Sequence, residues 1–131
     1  MIKTGIDLIM ISRVVEKIEK NGDFLNVILT EGEKAYCESK VKTLDDKNKM
    51  YQTVAGIYSA KEAFYKALGC GIRSLEYFKI IEVDHDKLGC PYIKIIKTPQ
   101  NFKELSEIKG CSISISHDGD NAIASCIIEV L

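Results

Sequence analysis

The feature that most constrains the fold is a long segment of helical pattern over about residues 49–68. Its apolar side chains recur on one helix face, and they are Ile57, Ala60, Phe64, Ala67 and Leu68. Gly69-Cys70-Gly71 follows and is expected to stop the helix, because glycine readily adopts the left-handed backbone found at helix ends. A chain of 131 residues has room for one hydrophobic core. We therefore expect one domain over residues 1–131, with this stripe facing the core.

Further segments have the alternation and composition of β-strands, and they are residues 2–11, 77–84, 91–97, 111–117 and 121–130. The first divides into two faces, with Ile2, Ile6, Leu8 and Met10 on one and Lys3, Gly5, Asp7, Ile9 and Ile11 on the other. The last two segments predict an antiparallel hairpin that turns at Asp118-Gly119-Asp120. The pattern as a whole predicts an α+β fold, in which an antiparallel sheet packs with helices.

Two shorter helices are predicted from residues that favour helix starts. Ser12 is expected to cap a helix that continues to about Lys20, because serine is a preferred N-cap residue. Thr98 is expected to cap a short helix with Pro99 in its first turn, where proline is tolerated because no hydrogen bond is lost. This second helix should end before Gly110.

A third short helix is predicted by the Thr-x-x-Glu pattern of Thr30 and Glu33. In this capping box each side chain bonds the backbone N–H of the other residue, so a helix to about Lys40 should follow. The next stretch, residues 41–49, is polar and rich in lysine, which predicts a mobile surface loop.

The composition excludes several classes of function. The formal net charge is −1, which gives no overall basic field for nucleic acid. No apolar run approaches the roughly 20 residues of a membrane-spanning helix, and the amino-terminal segment lacks the features of a secretory signal. The five cysteines are odd in number and contain no Cys-x-x-Cys pair, so they are expected to be reduced and structural. We expect a cytoplasmic protein that binds neither nucleic acid nor membrane.

Asp7 is the first candidate functional residue. A carboxylate within a strand of Ile, Leu and Met is costly unless it is paired, hydrogen-bonded or bound to a metal. Gly5 lies two residues earlier on the same face and removes a side chain that would crowd a ligand beside Asp7. A buried acid satisfied by a basic residue or by backbone amides is the alternative, and position alone does not decide between them.

Glu62 and Lys66 lie on one face of the long predicted helix, together with Ala55 and Ser59. The two small residues leave room for something to approach that face. A Glu and a Lys at this spacing also form an ordinary helix salt bridge, worth a few tenths of a kcal/mol, and taken alone that interpretation is the simpler one.

The remaining candidates lie where elements end. Gly69 and Gly71 permit a close approach by a ligand, although a helix C-cap explains Gly69 equally well. His117 and Asp118 follow an alternating Ser-Ile strand and emerge at its end. A lone histidine in such a place is more often a surface residue than a catalyst.

Two carboxylates together with a lysine suit a hard cation that holds a phosphate. The carboxylate oxygens would bind Mg²⁺, and the lysine would neutralise developing negative charge. The chemistry indicated is attack on a phosphate ester or anhydride. Neither a Walker-type phosphate loop nor a kinase signature is found in the sequence, which argues against an ordinary NTPase or kinase.

The ordered set of motifs resembles the holo-acyl-carrier-protein synthases, which are 4′-phosphopantetheinyl transferases. The matching segments are Gly5-Ile6-Asp7 with Arg13, Ala60-Lys61-Glu62-Ala63 with Lys66-Ala67-Leu68-Gly69-Cys70-Gly71-Ile72, and Ser114-Ile115-Ser116-His117-Asp118. Gly89-Cys90-Pro91-Tyr92 is similar to the Gly-Lys-Pro turn of that family. The similarity covers essentially the whole chain, and the Lys-Glu-Ala-x-x-Lys-Ala-Leu-Gly segment is its specific part.

The resemblance implies transfer of 4′-phosphopantetheine from coenzyme A to a serine of apo-acyl carrier protein, with release of 3′,5′-ADP. It implies that Asp7 and Glu62 bind Mg²⁺. The identity of the general base stays open: Glu62, directly or through a metal-bound water, is the first candidate, and Asp118 is the second. Lys66 would neutralise charge on the phosphoryl or leaving group. The residues implied to bind coenzyme A are Lys61, Lys66, Gly69, Gly71 and His117.

The resemblance also implies two kinds of protein contact. Arg13 and Lys17 would meet the acidic recognition helix of the carrier protein. The chain would assemble as a homotrimer with active sites at the subunit interfaces.

Three positions depart from the family pattern, namely Ile57 for a common arginine, Cys70 for a common threonine and Cys90 for the usual lysine. These departures bear on the affinity for coenzyme A, since none removes a metal ligand. Two alternative functions stay open at this point. One is a non-catalytic module that binds coenzyme A or a carrier protein, and the other is a different Mg²⁺-dependent phosphotransferase.

Overall fold

The described part of the chain forms two antiparallel sheets around one long helix. The computed structural model describes residues 1–43 and 46–131. Within those residues the strands are β1 Ile2–Met10, β2 Ile81–His85, β3 Pro91–Ile95, β4 Ile108–Asp118 and β5 Asn121–Val130. The helices are α1 Ile11–Lys20, α2 Phe24–Ile28, α3 Glu31–Glu38, α4 Lys47–Leu68 and α5 Lys103–Ser106, with a short 3-10 helix over Leu75–Lys79.

The larger sheet has the strand order β1-β5-β4, and the smaller sheet pairs β2 with β3. All pairings are antiparallel, and Asp7 of β1 lies opposite Ala124 of β5. A two-residue turn of Gly119 and Asp120 joins β4 to β5, as the predicted hairpin requires. The predicted α+β fold with antiparallel sheets is therefore confirmed.

Helix α4 has the apolar stripe that its sequence predicts. Each member of the stripe is at most 3% exposed, and these residues are Ile57, Ala60, Phe64, Ala67 and Leu68. The helix begins at Lys47, two residues before the expected start, and ends at Leu68. Gly69 follows with a φ of 89°, and its N–H donates to the Tyr65 carbonyl, which satisfies a group of the last helical turn.

Strand β1 passes very close to α4, and Gly5 makes this approach possible. A Cβ at Gly5 would lie 2.1 Å from the Ala63 carbonyl oxygen and 2.6 Å from the Ala67 nitrogen. No side chain fits there, so the prediction that Gly5 leaves space for a ligand is wrong. The small residues Ala55 and Ser59 are likewise fully buried, so the room expected beside them is filled by the fold itself.

A buried ion pair connects α4 to α3. The Lys61 ammonium donates to Glu33 Oε1 at 2.6 Å and to the carbonyls of Ile28 and Phe78 at 2.9 and 2.6 Å. Both side chains are fully buried. Glu33 also closes the predicted capping box with Thr30, since its Oε1 accepts from the Thr30 N–H at 2.8 Å. The capping box is confirmed, and the helix that it starts ends at Glu38.

Two predicted helix caps are wrong. Helix α1 begins at Ile11, and the Ser12 hydroxyl donates to Asp120 on the β4–β5 turn instead of accepting from its own helix. Helix α5 is only four residues long and begins after Phe102, so Thr98 does not cap it.

The predicted strand over residues 77–84 starts later than expected. Its first part belongs to the 3-10 helix Leu75–Lys79, and β2 begins at Ile81. The predicted loop over residues 41–49 is interrupted by α4 from Lys47, and its residues 44–45 lie outside the described residues. Among the described helices, none is both long enough and apolar enough to cross a membrane.

Candidate functional site

Asp7 lies on the face of β1 that packs against α4. The Ser59 hydroxyl is 2.9 Å from the Asp7 carbonyl oxygen and 3.0 Å from Asp7 Oδ2, so its single proton is shared between two acceptors. The other carboxylate oxygen, Oδ1, is 3.1 Å from the Lys66 ammonium. The Asp7 side chain keeps 13% of its surface exposed, which leaves it accessible to a ligand from one side.

Lys66 pairs with Asp7 of the neighbouring strand. Besides its contact with Asp7 Oδ1, its ammonium donates to the Ile6 carbonyl at 3.1 Å. Half of the Lys66 side chain is exposed. An ordinary helix salt bridge to Glu62 is therefore not what holds Lys66, and the ammonium lies beside β1 where two carboxylates converge.

Glu62 has an unusual electrostatic environment. Partial burial raises the pKa of its carboxyl, and the negative charge of Asp7 raises that pKa further. Three other influences lower this pKa: the positive charge of Lys66, a hydrogen bond from Tyr58, and the positive charge of Lys17. A bound cation would offset the repulsion between the Asp7 charge and the Glu62 carboxylate, so this arrangement favours a cation site.

The donor set fits Mg²⁺. This ion takes oxygen ligands and usually binds through one or two carboxylates together with waters and substrate phosphates. Asp7 and Glu62 would supply the two carboxylates. In the part of the chain that the structure describes, no cluster of three or more His, Cys, Asp or Glu residues could enclose a metal. The remaining ligands would thus come from substrate and water.

Tyr58 was missed by the sequence analysis, although it lies four residues before Glu62 on α4. Burial, together with the charges of Glu62 and Asp7, raises the pKa of Tyr58 to about 12. The phenol therefore keeps its proton at neutral pH. The Lys17 ammonium lies 5.6 Å from the Tyr58 ring centroid and 5.8 Å from that of Phe24, within the range of cation–π attraction.

The basic residues of α1 thus adjoin the carboxylates. Arg13 and Lys17 lie one turn apart and are both exposed, so they form one face of the helix. Lys17 is close enough to lower the pKa of Glu62. Lys17, one of the two predicted partner-binding residues, consequently lies near the predicted metal ligand Glu62.

His117 lies at the other end of α4. Its Nε2 is 2.8 Å from the Gln52 carbonyl oxygen, and since a carbonyl only accepts, Nε2 carries the proton. A cavity of about 220 Å³ opens beside it. Its lining consists of Tyr36, Lys40, Thr53, Gly56, Ile57, His85, Gly89, Pro91, Ile115 and His117.

Gly56 makes this arrangement possible and was also missed. A Cβ there would lie 2.9 Å from Ile115 Cγ2 and 3.1 Å from His117 Nε2. A glycine inside a helix lowers helix stability, so its presence indicates that another part of the chain packs closely there. The glycine in the middle of the predicted helix was therefore the sequence signal for this contact.

Gly69 and Gly71 both have the left-handed backbone that their spacing suggested, with φ of 89° and 65°. A Cβ at either residue would meet no atom within 4 Å, so the space beside this loop is open. Gln52 and Gly69 are seventeen positions apart along α4 and its C-cap, which corresponds to roughly 25 Å along the axis. His117 and the glycine loop of one chain are therefore too far apart to hold the same phosphate group.

The structure contradicts two of the predicted site residues. Lys61 is fully buried and its ammonium already donates to three acceptors, so it has no exposed atom for coenzyme A. Asp118 shares a face of β4 with Ser112, Ser114 and Ser116, whereas Ile115 and His117 face α4. Because Asp7 also faces α4, Asp118 lies on the opposite side of the sheet and is not the general base within one chain.

The positions that depart from the family pattern occupy different surroundings. Ile57 is buried and lines the cavity beside His117. Cys70 is half-buried in the glycine loop, and Cys90 is exposed in the turn before β3.

Comparison with known proteins decides the family. The family model described as the 4′-phosphopantetheinyl transferase superfamily matches residues 3–126, which is nearly the whole chain. The chain belongs to the 4′-phosphopantetheinyl transferase superfamily. A holo-[acyl-carrier-protein] synthase from Alkaliphilus oremlandii (strain OhILAs) is 39% identical over 123 residues, which cover 94% of each chain.

Solved structures of this superfamily share the fold. The crystal structure of the holo-[acyl-carrier-protein] synthase from Neisseria meningitidis matches with a TM-score of 0.83 and 30% identity, over 98% of this chain and 99% of that one. The enzyme from Bacillus anthracis in complex with CoA (3′,5′-ADP) matches with a TM-score of 0.78 and 31% identity, over 98% and 96%. The predicted family, fold and enzyme class are therefore confirmed, and the chain is a phosphopantetheinyl transferase.

Proposed function

We propose that this phosphopantetheinyl transferase moves 4′-phosphopantetheine from coenzyme A to a serine of apo-acyl carrier protein and releases 3′,5′-ADP. The observation that carries the proposal is the convergence of Asp7, Glu62 and Lys66 where β1 crosses α4. Likeness to the B. anthracis synthase, which was solved with coenzyme A, supports the choice of donor. The chain would act as one domain in the cytoplasm.

The carboxylates of Asp7 and Glu62 would hold Mg²⁺. When bound, the ion supplies Lewis-acid stabilisation of negative charge on the pyrophosphate of coenzyme A. Ser59 fixes the orientation of Asp7 through its hydroxyl, and Lys66 fixes it through the ion pair.

Glu62 would act as the general base. Its carboxylate lies with Asp7 and Lys66 where β1 crosses α4, which would place it within reach of the attacking serine. The carrier serine oxygen would attack the phosphorus on the pantetheine side of the pyrophosphate as its proton passes to Glu62. The bond from that phosphorus to the bridging oxygen breaks, and 3′,5′-ADP leaves with the charge that the Lys66 ammonium neutralises.

Gly69, Gly71 and His117 would bind phosphates at the nucleotide end of coenzyme A. Within one chain they are roughly 25 Å apart along α4, so each active site would take the glycine loop from one copy and His117 from another. A homotrimer with sites at its interfaces meets this requirement, and Arg13 and Lys17 would then receive the acidic helix of the carrier protein.

The test is mass spectrometry of an apo-acyl carrier protein after incubation with coenzyme A, Mg²⁺ and the full chain. We expect a mass gain of one phosphopantetheine group on the carrier serine. Asp7→Asn, Glu62→Gln and Lys66→Met should each slow the transfer by about 100- to 1000-fold, as expected when charge stabilisation in the transition state is lost.

Glu76→Gln is the matched control, since Glu76 is exposed on the 3-10 helix, and it should react like the unmodified chain. Titration of Mg²⁺ by calorimetry should show weaker binding in Asp7→Asn but not in Glu76→Gln. Binding of coenzyme A without any holo-product would instead identify a binding module, and transfer from ATP alone would identify another phosphotransferase.

A further inference from the structure

Asp120 makes a set of contacts that the proposed reaction does not use. Its Oδ1 accepts from the Ser12 N–H at 2.9 Å, and its Oδ2 accepts from the Ser12 hydroxyl at 2.6 Å. Its backbone carbonyl accepts from the Ile11 N–H at 2.7 Å. One residue of the β4–β5 turn therefore binds the first two residues of α1.

These contacts replace a cap that α1 lacks. The residue at the N-cap position is Met10, whose side chain has no oxygen and makes no capping hydrogen bond. The first turn of a helix has N–H groups without intrahelical partners. A negatively charged hydrogen-bond acceptor placed there binds such N–H groups and complements the helix dipole. Asp120 provides this acceptor from a position 108 residues along the chain.

The sheet register brings the two elements together. Met10 at the end of β1 pairs with Asn121 at the start of β5, so α1 begins beside the turn that contains Asp120. Gly119 has a φ of 59°, which is the backbone that a two-residue hairpin turn needs at its first position. The turn is thus narrow and places Asp120 directly at the start of α1.

Arg13 and Lys17 depend on this anchor to different degrees. Arg13 is the third residue of α1, so its backbone is fixed only when the first turn is formed. Lys17 lies one turn later, and the rings of Phe24 and Tyr58 hold its ammonium from other elements. Val14, which is fully buried, also secures the middle of the helix.

We propose that Asp120 is a positioning residue that holds the first turn of α1, and with it Arg13, in the orientation that binds the carrier protein. This inference rests on the proposed function, in which α1 receives the acidic helix of that partner. Asp120 would act on the affinity for the carrier protein and would leave the chemistry at Asp7 and Glu62 unchanged.

The test is steady-state kinetics of the full chain, with the concentration of apo-acyl carrier protein varied at saturating coenzyme A and Mg²⁺. Asp120→Ala should raise the KM for the carrier protein about fivefold, the factor that corresponds to losing a typical helix N-cap. The kcat and the KM for coenzyme A should stay within about twofold of the original values. Ser12→Ala keeps the backbone contact and should give a smaller rise.

Double variants separate positioning from general destabilisation. If Asp120 acts through Arg13, adding Asp120→Ala to Arg13→Ala should raise the KM for the carrier no further, whereas adding it to Lys17→Ala should still raise it about fivefold. An unchanged KM in Asp120→Ala, or an equal rise in both backgrounds, would overturn the inference. Should Asp120→Ala not fold, Asp120→Asn and Ser12→Ala carry the same cycle. Absence of any holo-product from the unmodified chain would refute the proposed function instead.

Discussion

At the scale of single residues, α4 shows how two lysines of the same helix take different roles because their surroundings differ. Lys61 and Lys66 are five residues apart in the same helix. The Lys61 ammonium is fully buried against Glu33, whereas Lys66 is half exposed and pairs with Asp7 at the surface. Burial is the main influence on the buried pair, since it raises the pKa of Glu33 and lowers that of Lys61. Each of those two charges needs the other to remain ionised.

Lys61→Met should therefore destabilise the fold. Removing one partner of a buried ion pair typically costs about 3–5 kcal/mol, because the other charge is left unpaired. Urea denaturation should show this loss, and Lys66→Met should cost no more than about 1 kcal/mol because its pair is partly solvated. An unchanged unfolding midpoint in Lys61→Met, together with weaker binding of coenzyme A, would restore the cofactor role that the structure contradicts.

The pH dependence of Lys61→Met follows from the same pair. Without the ammonium, burial raises the pKa of Glu33 in the folded state above its ordinary value of 4.5 still further. A carboxyl with a raised pKa binds more protons when folded than when unfolded, so stability is lost as the pH rises above about 4.5. The deficit of Lys61→Met should thus be smaller near that pH than at pH 7, and urea curves at both values would show it. An equal deficit at both would mean that Glu33 finds another partner.

At the scale of elements, the contact of β1 with α4 builds the site. Asp7 and Glu62 come from different elements, and they meet only because the strand lies directly on the helix backbone at Gly5. The wider separation that any side chain at Gly5 would impose would draw the Asp7 carboxylate away from Ser59 and Lys66. The glycine therefore shapes the candidate site through packing.

Gly5→Ala should weaken the fold markedly. Its Cβ would lie 2.1 Å from the Ala63 carbonyl oxygen, and backbone atoms of a helix cannot move aside cheaply. Overpacking of this kind costs about 3 kcal/mol or occasionally more, which thermal or urea unfolding would measure. Gly22→Ala is the matched control, since a Cβ there meets no atom within 4 Å, and it should change stability by less than about 0.5 kcal/mol. Equal stability of the two variants would contradict the close approach.

At the scale of the whole molecule, the outward face of β1, at the edge of the larger sheet, is largely apolar and exposed. The alternation of the sequence predicted that four apolar residues share one face of β1. In the structure their exposed fractions are 62% for Ile2, 60% for Ile6, 65% for Leu8 and 42% for Met10. Apolar patches of this kind mark protein–protein contacts. Together with the separation of His117 from the glycine loop, this face supports the proposed assembly.

Interface sites predict that two inactive variants restore each other. Lys66→Met and His117→Ala would each inactivate every site of a homotrimer. When the two variants are coexpressed in equal amounts, they should assemble into trimers at random. Half of the sites then receive an intact Lys66, and half of those also receive an intact His117, so about a quarter of the original activity should return. Sedimentation analysis should show trimers in every sample. If the site lay within one chain, the mixture would stay inactive.

The sequence by itself determined the elements that depend on neighbouring residues. The stripe of α4 and its glycine stop, the Thr30–Glu33 capping box and the β4–β5 hairpin are all present as predicted. Each is specified within a few positions of the chain, where periodicity and backbone preference act directly. The resemblance of the motifs in their order was also enough to identify the superfamily, since it needs no geometry.

Only the tertiary structure decided which side each side chain faces and which distant residue it contacts. Lys61 turned inward because Glu33, 28 positions away, lies beside it in the core. Asp118 lies on the far face of the sheet, and Asp120, two residues later, caps a helix at the other end of the chain. The sequence pattern predicted Ser12 as a helix cap, but its hydroxyl donates to Asp120, because the fold brings the β4–β5 turn beside it. Contacts between distant segments depend on packing and strand register, which local pattern does not contain.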